Sequence, residues 1–150
     1  VLAGVEKAFS APVAATGERE FPHTRYYERE MGPGLKRAFV LLDGLWDPGS
    51  LGAVKRRTNE LEQRWTRDGR RAANLDPGFL GLGQFVLATG KPAAHRIYLG
   101  EGVYAEVEYV FENGGFRVLP WTYADYREPS VLTFFDEARE RHRRRLKERP

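Results

Sequence analysis

The sequence predicts an α+β domain, and three observations carry that expectation. Leu51, Val54, Thr58, Leu61 and Trp65 recur every three or four residues, the spacing of a helix that turns one stripe to a core. Apolar and polar residues alternate through "HRIYLGEGVYAEVEYVF", the period of strands. Asn113-Gly114 is a strong signal for a tight hairpin turn.

Each element follows in chain order. "VLAGVEKAF" reads as the end of an amphipathic helix, and "SAPVAATGEREF" as a short strand and loop. "PHTRYYEREMGPG" ends in the breakers Gly32, Pro33 and Gly34, and "LKRAFVLLDGL" has the content of a buried strand. Asp47 or Ser50 can cap the next helix, with Pro48 tolerated in its first turn. Lys55, Asn59 and Glu62 then form a polar stripe beside the apolar one, expected on a solvated flank. "RRAANL" reads as a strand closed by Asp76-Pro77-Gly78, with Gly78 free to take a positive φ, and "QFVLAT" as the strand after it.

With one strand expected ahead of Val1, the order is strand, helix, strand, strand, helix, strand. That is a ferredoxin-like core, extended by an antiparallel meander and a C-terminal helix, in a single domain spanning 1–150. Register can be read in the meander because a slip of one residue exchanges the faces. A three-residue Gly100-Glu101-Gly102 loop puts Arg96 opposite Glu106 and Tyr98 opposite Tyr104. The Asn113-Gly114 turn puts Phe111 opposite Phe116, Tyr109 opposite Val118, and Trp121 beside Glu106. One sheet face should then show Arg96, Glu106 and Trp121, either as an exposed ion pair or as a shallow polar platform with an aromatic wall. His95 falls on the other, apolar parity.

Composition narrows the chemistry. A 41% hydrophobic and 30% charged content belongs to a chain that buries a core rather than to a disordered one. No run approaches the ~20 apolar residues of a membrane helix, and no secretory signal opens the chain, so a cytoplasmic location without membrane contact is expected. The absence of cysteine removes disulfides, thiolate nucleophiles and Cys-based zinc sites. From Asp136 to Pro150, seven Arg or Lys face four Asp or Glu, so this tail carries the whole net charge of +3. A basic tail can attract nucleic acid, although Glu137–Arg141 and Glu140–Arg144 at i,i+4 also suit a solvated helix.

Ser10, Ser50 and Ser130 lie in no nucleophile elbow, "ATGKP" is no P-loop, and "GLGQF" is no dinucleotide fingerprint. His23, His95 and His142 are too dispersed to read as a zinc set, and no spacing assigns a metal to Glu30, Asp76 or Glu106. No cofactor is implied, and no particular reaction is selected.

"TRYYEREMGPGLKR", "KRRTNELE", "RRAANLDPGFL", "VLAT.K", "HRIYLGEGVYAE" and "WTYADYR" resemble, in this order and over nearly the whole chain, the bacterial family catalogued as domain of unknown function 4416. The resemblance implies a cytoplasmic protein of prokaryotic origin and carries no activity with it. The polar positions that match it are Thr24, Tyr26, Tyr27, Glu30, Lys55, Asn59, Glu62, Asn74, Asp76, Thr89, Lys91, His95, Arg96, Tyr104, Glu106, Trp121 and Tyr123.

Two functions stay open. The first is a site for a small anionic or nucleotide-like molecule, lined by Lys55, Asn59, Asn74, Asp76, Lys91, Arg96 and Glu106. The second is a nucleic-acid or protein-binding module that uses the basic C-terminal helix.

Overall fold

The computed structural model describes residues 1–21 and 31–148. Its elements are α1 (Leu2–Ala8), β1 (Pro12–Ala15), β2 (Arg19–Glu20), β3 (Lys36–Arg37), β4 (Val40–Leu42), α2 (Leu51–Arg64), β5 (Gly78–Leu80), β6 (Gln84–Thr89), β7 (Ile97–Gly100), β8 (Val103–Glu112), β9 (Gly115–Val118) and α3 (Pro129–Lys147). All strand pairs are antiparallel. β1 pairs β4, β2 pairs β3, and five strands run in the order β5-β6-β8-β7, with β9 on β8 as well.

This is a mixed α/β architecture of antiparallel sheets, not the single ferredoxin-like sheet expected. β1 and β4 pair with each other rather than with β6. The helices also take opposite faces of the five-stranded sheet. Leu51 of α2 packs with Val86, Ala88 and Val103 on one side. Val131 and Phe135 of α3 pack with Phe85, Leu87, Tyr109, Phe116 and Tyr126 on the other. The expected strand at "LKRAFVLLDGL" divides into β3 and β4 and is only half-buried. No helix of the described residues is long and apolar enough to cross a membrane.

The start of α2 follows the sequence closely. Asp47 accepts a hydrogen bond from the Gly49 amide at 2.9 Å, with Pro48 in the first turn of the short 3-10 segment that leads in. The buried residues of α2 are Leu51, Lys55, Thr58, Leu61 and Glu62. Lys55 and Glu62 therefore face inward, which corrects the expected solvated flank, whereas Asn59 is exposed.

"RRAANL" forms no strand. Glu62 holds this connection instead: its Oε1 accepts from the Leu75 amide at 2.6 Å and its Oε2 from Arg71 at 2.8 Å. Gly78 is likewise needed for a different reason from the one expected, since its φ is not positive. A Cβ at this position would meet the Phe85 ring and the Val86 carbonyl oxygen, both at 2.6 Å. Gly78→Ala should therefore cost about 1–3 kcal/mol through overpacking. A urea midpoint unchanged from wild type would show that β5 can move away freely.

The hairpin registers agree with the sequence. Tyr98 faces Tyr104, Phe111 faces Phe116, and Tyr109 faces Val118. The first turn differs in its means: Gly100 pairs Val103, leaving a two-residue Glu101-Gly102 turn with both φ positive. A register shift between Tyr98 and Gly100 restores the parity that such a turn would otherwise break.

A second irregularity matters more. Phe85 pairs Tyr109 and Val86 pairs Val107, so Glu108 is an extra residue in β8. Before it, Val103, Ala105 and Val107 face α2. After it, Tyr109 faces α3, although it shares their odd parity. The alternation rule thus fails at one residue. It fails in burial too: Ile97 and Leu99 on the apolar parity are 69% and 44% exposed, while Glu106 and Glu108 are 2% and 0% exposed.

Candidate functional site

Glu106 and Glu108 lie beneath the segment that follows β9. The Thr122 hydroxyl donates to the Glu108 carbonyl at 2.6 Å and accepts from the Leu119 amide at 2.8 Å. Arg127 braces the same turn by donating to the carbonyls of Thr122, Leu119 and Pro120. Trp121 donates from Nε1 to the Val107 carbonyl at 2.8 Å.

Arg96 grips Glu106 with two nitrogens, Nε to Oε2 at 3.0 Å and Nη2 to Oε1 at 3.1 Å. This two-pronged geometry is the strong form of the pair. It is also buried, with side-chain exposures of 9% for Arg96 and 0% for Glu106, so the exposed surface pair does not describe it. Arg96 further donates to the Lys91 carbonyl and the Tyr123 hydroxyl, both at 2.7 Å. Burial opposes its charge, but the hydrogen bond to Glu106 and the neighbouring Tyr123 raise its pKa on balance.

His95 also reaches Glu106, Nε2 to Oε2 at 2.8 Å, and stacks on Trp121 with ring centroids 5.0 Å apart. This corrects the assignment of His95 to the opposite face. Strand β7 begins only at Ile97, and a turn closed by Arg96 N–H to the Ala93 carbonyl precedes it, so alternation does not extend back to His95. Trp121 meets Glu106 through the His95 ring that it covers.

A second group of charges continues the network. Lys55 Nζ donates to the Leu75 carbonyl at 2.7 Å and lies 3.4 Å from Asp76 Oδ1. Asn74 Nδ2 donates to Asp76 Oδ2 at 2.8 Å. Arg37 pairs with Asp125 and lies 3.5 Å from Asp76. Burial opposes the charge of Arg37, and Tyr126, Asp125 and Asp76 outweigh it to raise its pKa.

Tyr123 links the two groups. Burial, then the charge of Glu106, pushes its phenol up to about 12, and Arg96 and Asp76 both act on it. The same causes hold Tyr126 far above its ordinary range: burial first, with the carboxylates Asp76, Asp125 and Glu108 reinforcing it and Arg37 opposing it.

Of the residues expected to share a site, Lys55, Asn74 and Asp76 thus meet in one group and Arg96 and Glu106 in a second, and the electrostatic effect of both groups on Tyr123 makes them one network. Lys91 enters it through its backbone carbonyl. Asn59 is exposed and stands apart. Arg37, Glu62, Arg71, His95, Glu108, Asp125 and Tyr126 join it without having been expected there. For Glu108 a signal existed, because Glu106 and Glu108 share a parity. Thr24, Tyr26, Tyr27 and Glu30, together with His23, lie outside the described residues.

The network is open to solvent at Trp121 and Tyr123, which are 39% and 38% exposed. A hollow of about 290 Å³ lies elsewhere, between the start of α2 and the β7 side of the sheet, lined by Leu51, Arg56, Phe79, Leu99 and Ala105. Among the described residues, no group of three or more His, Asp or Glu is placed to hold a metal ion.

Fold and network together define a mixed α/β domain of antiparallel sheets with buried ion pairs gathered beside the five-stranded sheet. The chain belongs to the family described as domain of unknown function (DUF4416), whose pattern matches residues 1–142. Among curated proteins and solved structures, no match is found.

Proposed function

We propose that the platform binds a small anionic or nucleotide-like ligand, in a cytoplasmic protein of prokaryotic origin. The observation that carries this reading is a gathering of three sets of ion pairs, Glu62–Arg71, Lys55–Asp76–Arg37–Asp125 and Arg96–Glu106–His95, buried at Lys55, Glu62, Glu106 and Asp125, with Asn74 bridging the first two and Tyr123 feeling the charges of the last two. Burying paired charges seldom stabilises a fold more than apolar packing would, whereas perturbed ionisable groups gather at sites of function. Tyr123 and Trp121 offer rings for stacking, and Asn74, Asp76 and Arg37 offer both donors and acceptors at the rim.

A thermal-shift panel of nucleotides, metabolites and divalent metals tests this. A ligand should raise the melting temperature of the wild type. Tyr123→Phe and Asn74→Ala should lose most of that rise, while Tyr123→Phe changes the unliganded stability by no more than about 1 kcal/mol. Flat melting temperatures throughout, with salt-sensitive RNA binding, would favour a nucleic-acid module instead. That alternative has less support, because several arginines of α3 are engaged within the fold. Arg139 donates to the Leu82 carbonyl and covers the Phe111 ring, Arg143 pairs with Glu140 and Arg145 with Asp43.

A further inference from the structure

The ion pairs of the platform leave one carboxyl over. Among the described residues, Glu62 faces Arg71, Asp76 faces Lys55 and Arg37, Asp125 faces Arg37, and Glu106 faces Arg96 and His95. Glu108 is in none of these ion pairs. Its side chain is wholly buried, its Oε2 accepts a 3.3 Å hydrogen bond from the Tyr123 amide, its Oε1 has no hydrogen-bond partner among the described residues, and the Glu106 carboxyl lies close enough for a proton to be held between the two acids. An ionised carboxylate so placed would bear most of its desolvation cost, whereas a neutral acid needs no cation.

The groups around it reinforce this. Glu106 and Tyr109 flank it on β8, and Tyr123, Asp125 and Tyr126 come from the turn above. Arg96 and His95 make their ion pairs with Glu106. Asp76, Arg37 and, from α3, Asp136 act on the surrounding tyrosines.

We infer that Glu108 is the proton-holding residue of the platform, and that its proton decides whether the platform accepts an anion. With the proton in place, the carboxylates Glu62, Asp76, Glu106 and Asp125 are balanced by Arg37, Lys55, Arg71 and Arg96. Without it the cluster gains an unbalanced negative charge, and an anionic ligand is repelled. This specificity role rests on the ligand-site reading above, whereas the location of the proton does not. Burial, and next the charge of Glu106, lifts the Glu108 pKa to about 8, so the change of charge falls just above neutrality.

Two measurements on the whole chain test the two parts separately. With carboxyl-labelled glutamate, the carbon resonance that vanishes in Glu108→Gln should titrate near pH 8. A midpoint below about 6 would overturn the proton assignment. The affinity for adenosine monophosphate, with sulfate as a second anion, should be level below the midpoint and fall by up to about tenfold per pH unit above it. Glu108→Gln should hold the low-pH affinity across that range. Wild-type affinity that ignores pH overturns the specificity role while leaving the carboxyl titration to decide the proton. Failure of both anions to bind at any pH sinks the anionic-ligand reading and the specificity role with it.

Discussion

Glu108→Gln should make the protein more stable than wild type at pH 9, on the order of 4 kcal/mol, and nearly equal to it at about pH 5. Burial and the charge of Glu106 raise the Glu108 pKa from 4.5 to about 8 in the folded chain. Between those values the folded state binds more protons than the unfolded one, so stability declines as pH rises through the window. Below it both states are protonated and no penalty arises; above it the whole penalty is present. Glutamine fills the same space, carries no charge at any pH, and can donate from its amide toward Glu106. Urea unfolding of both proteins at intervals from pH 5 to pH 9 measures the difference directly. Parallel stability curves would mean that Glu108 is not held neutral, and the account of the site would lose its central acid.

The second large effect belongs to Arg96. Arg96→Met removes both guanidinium contacts from a carboxylate that is 0% exposed, leaving Glu106 with His95 alone. Breaking one side of such a buried pair costs about 3–5 kcal/mol, because the remaining charge has neither its partner nor water. The double variant Arg96→Met with Glu106→Gln should recover a substantial part of that loss, since it removes the stranded charge as well. A double-mutant cycle separates this coupling from the lost packing of the arginine stem. A single-variant cost within about 1 kcal/mol would place the pair among ordinary surface salt bridges, against the geometry described here.

Local chemistry made some of this legible in the sequence. Asn113-Gly114 set the second hairpin register, and parity alone set Tyr98 opposite Tyr104. Parity also brought Arg96 and Glu106 together, the pair at the centre of the network. Long-range packing was not legible. Whether Lys55 and Glu62 flank the helix or enter the core depends on the 71–76 connection, whose Leu75 carbonyl and amide receive them. Arg37 and Asp125 are 88 residues apart in the chain, and no pattern in either segment announces their contact. The extra residue at Glu108 was hidden for another reason: alternation continues in the letters after it has stopped in the pleat. Sequence periodicity therefore placed Tyr109 with Val107, whereas the structure sets them on opposite sides.

That extra residue has a consequence for how β8 can change. It acts like a frameshift within the strand, switching which letters belong to which layer. Removing Glu108 would join Val107 to Tyr109 in an unbroken pleat and keep both on the faces they hold, whereas regular alternation with Glu108 in place would carry Tyr109 and Phe111 toward α2. A substitution in β8 alters one contact, but losing the irregularity with the sequence unchanged would misassign half the strand. The irregular pairing at Glu108 is thus as much a determinant of this domain as any side chain in it.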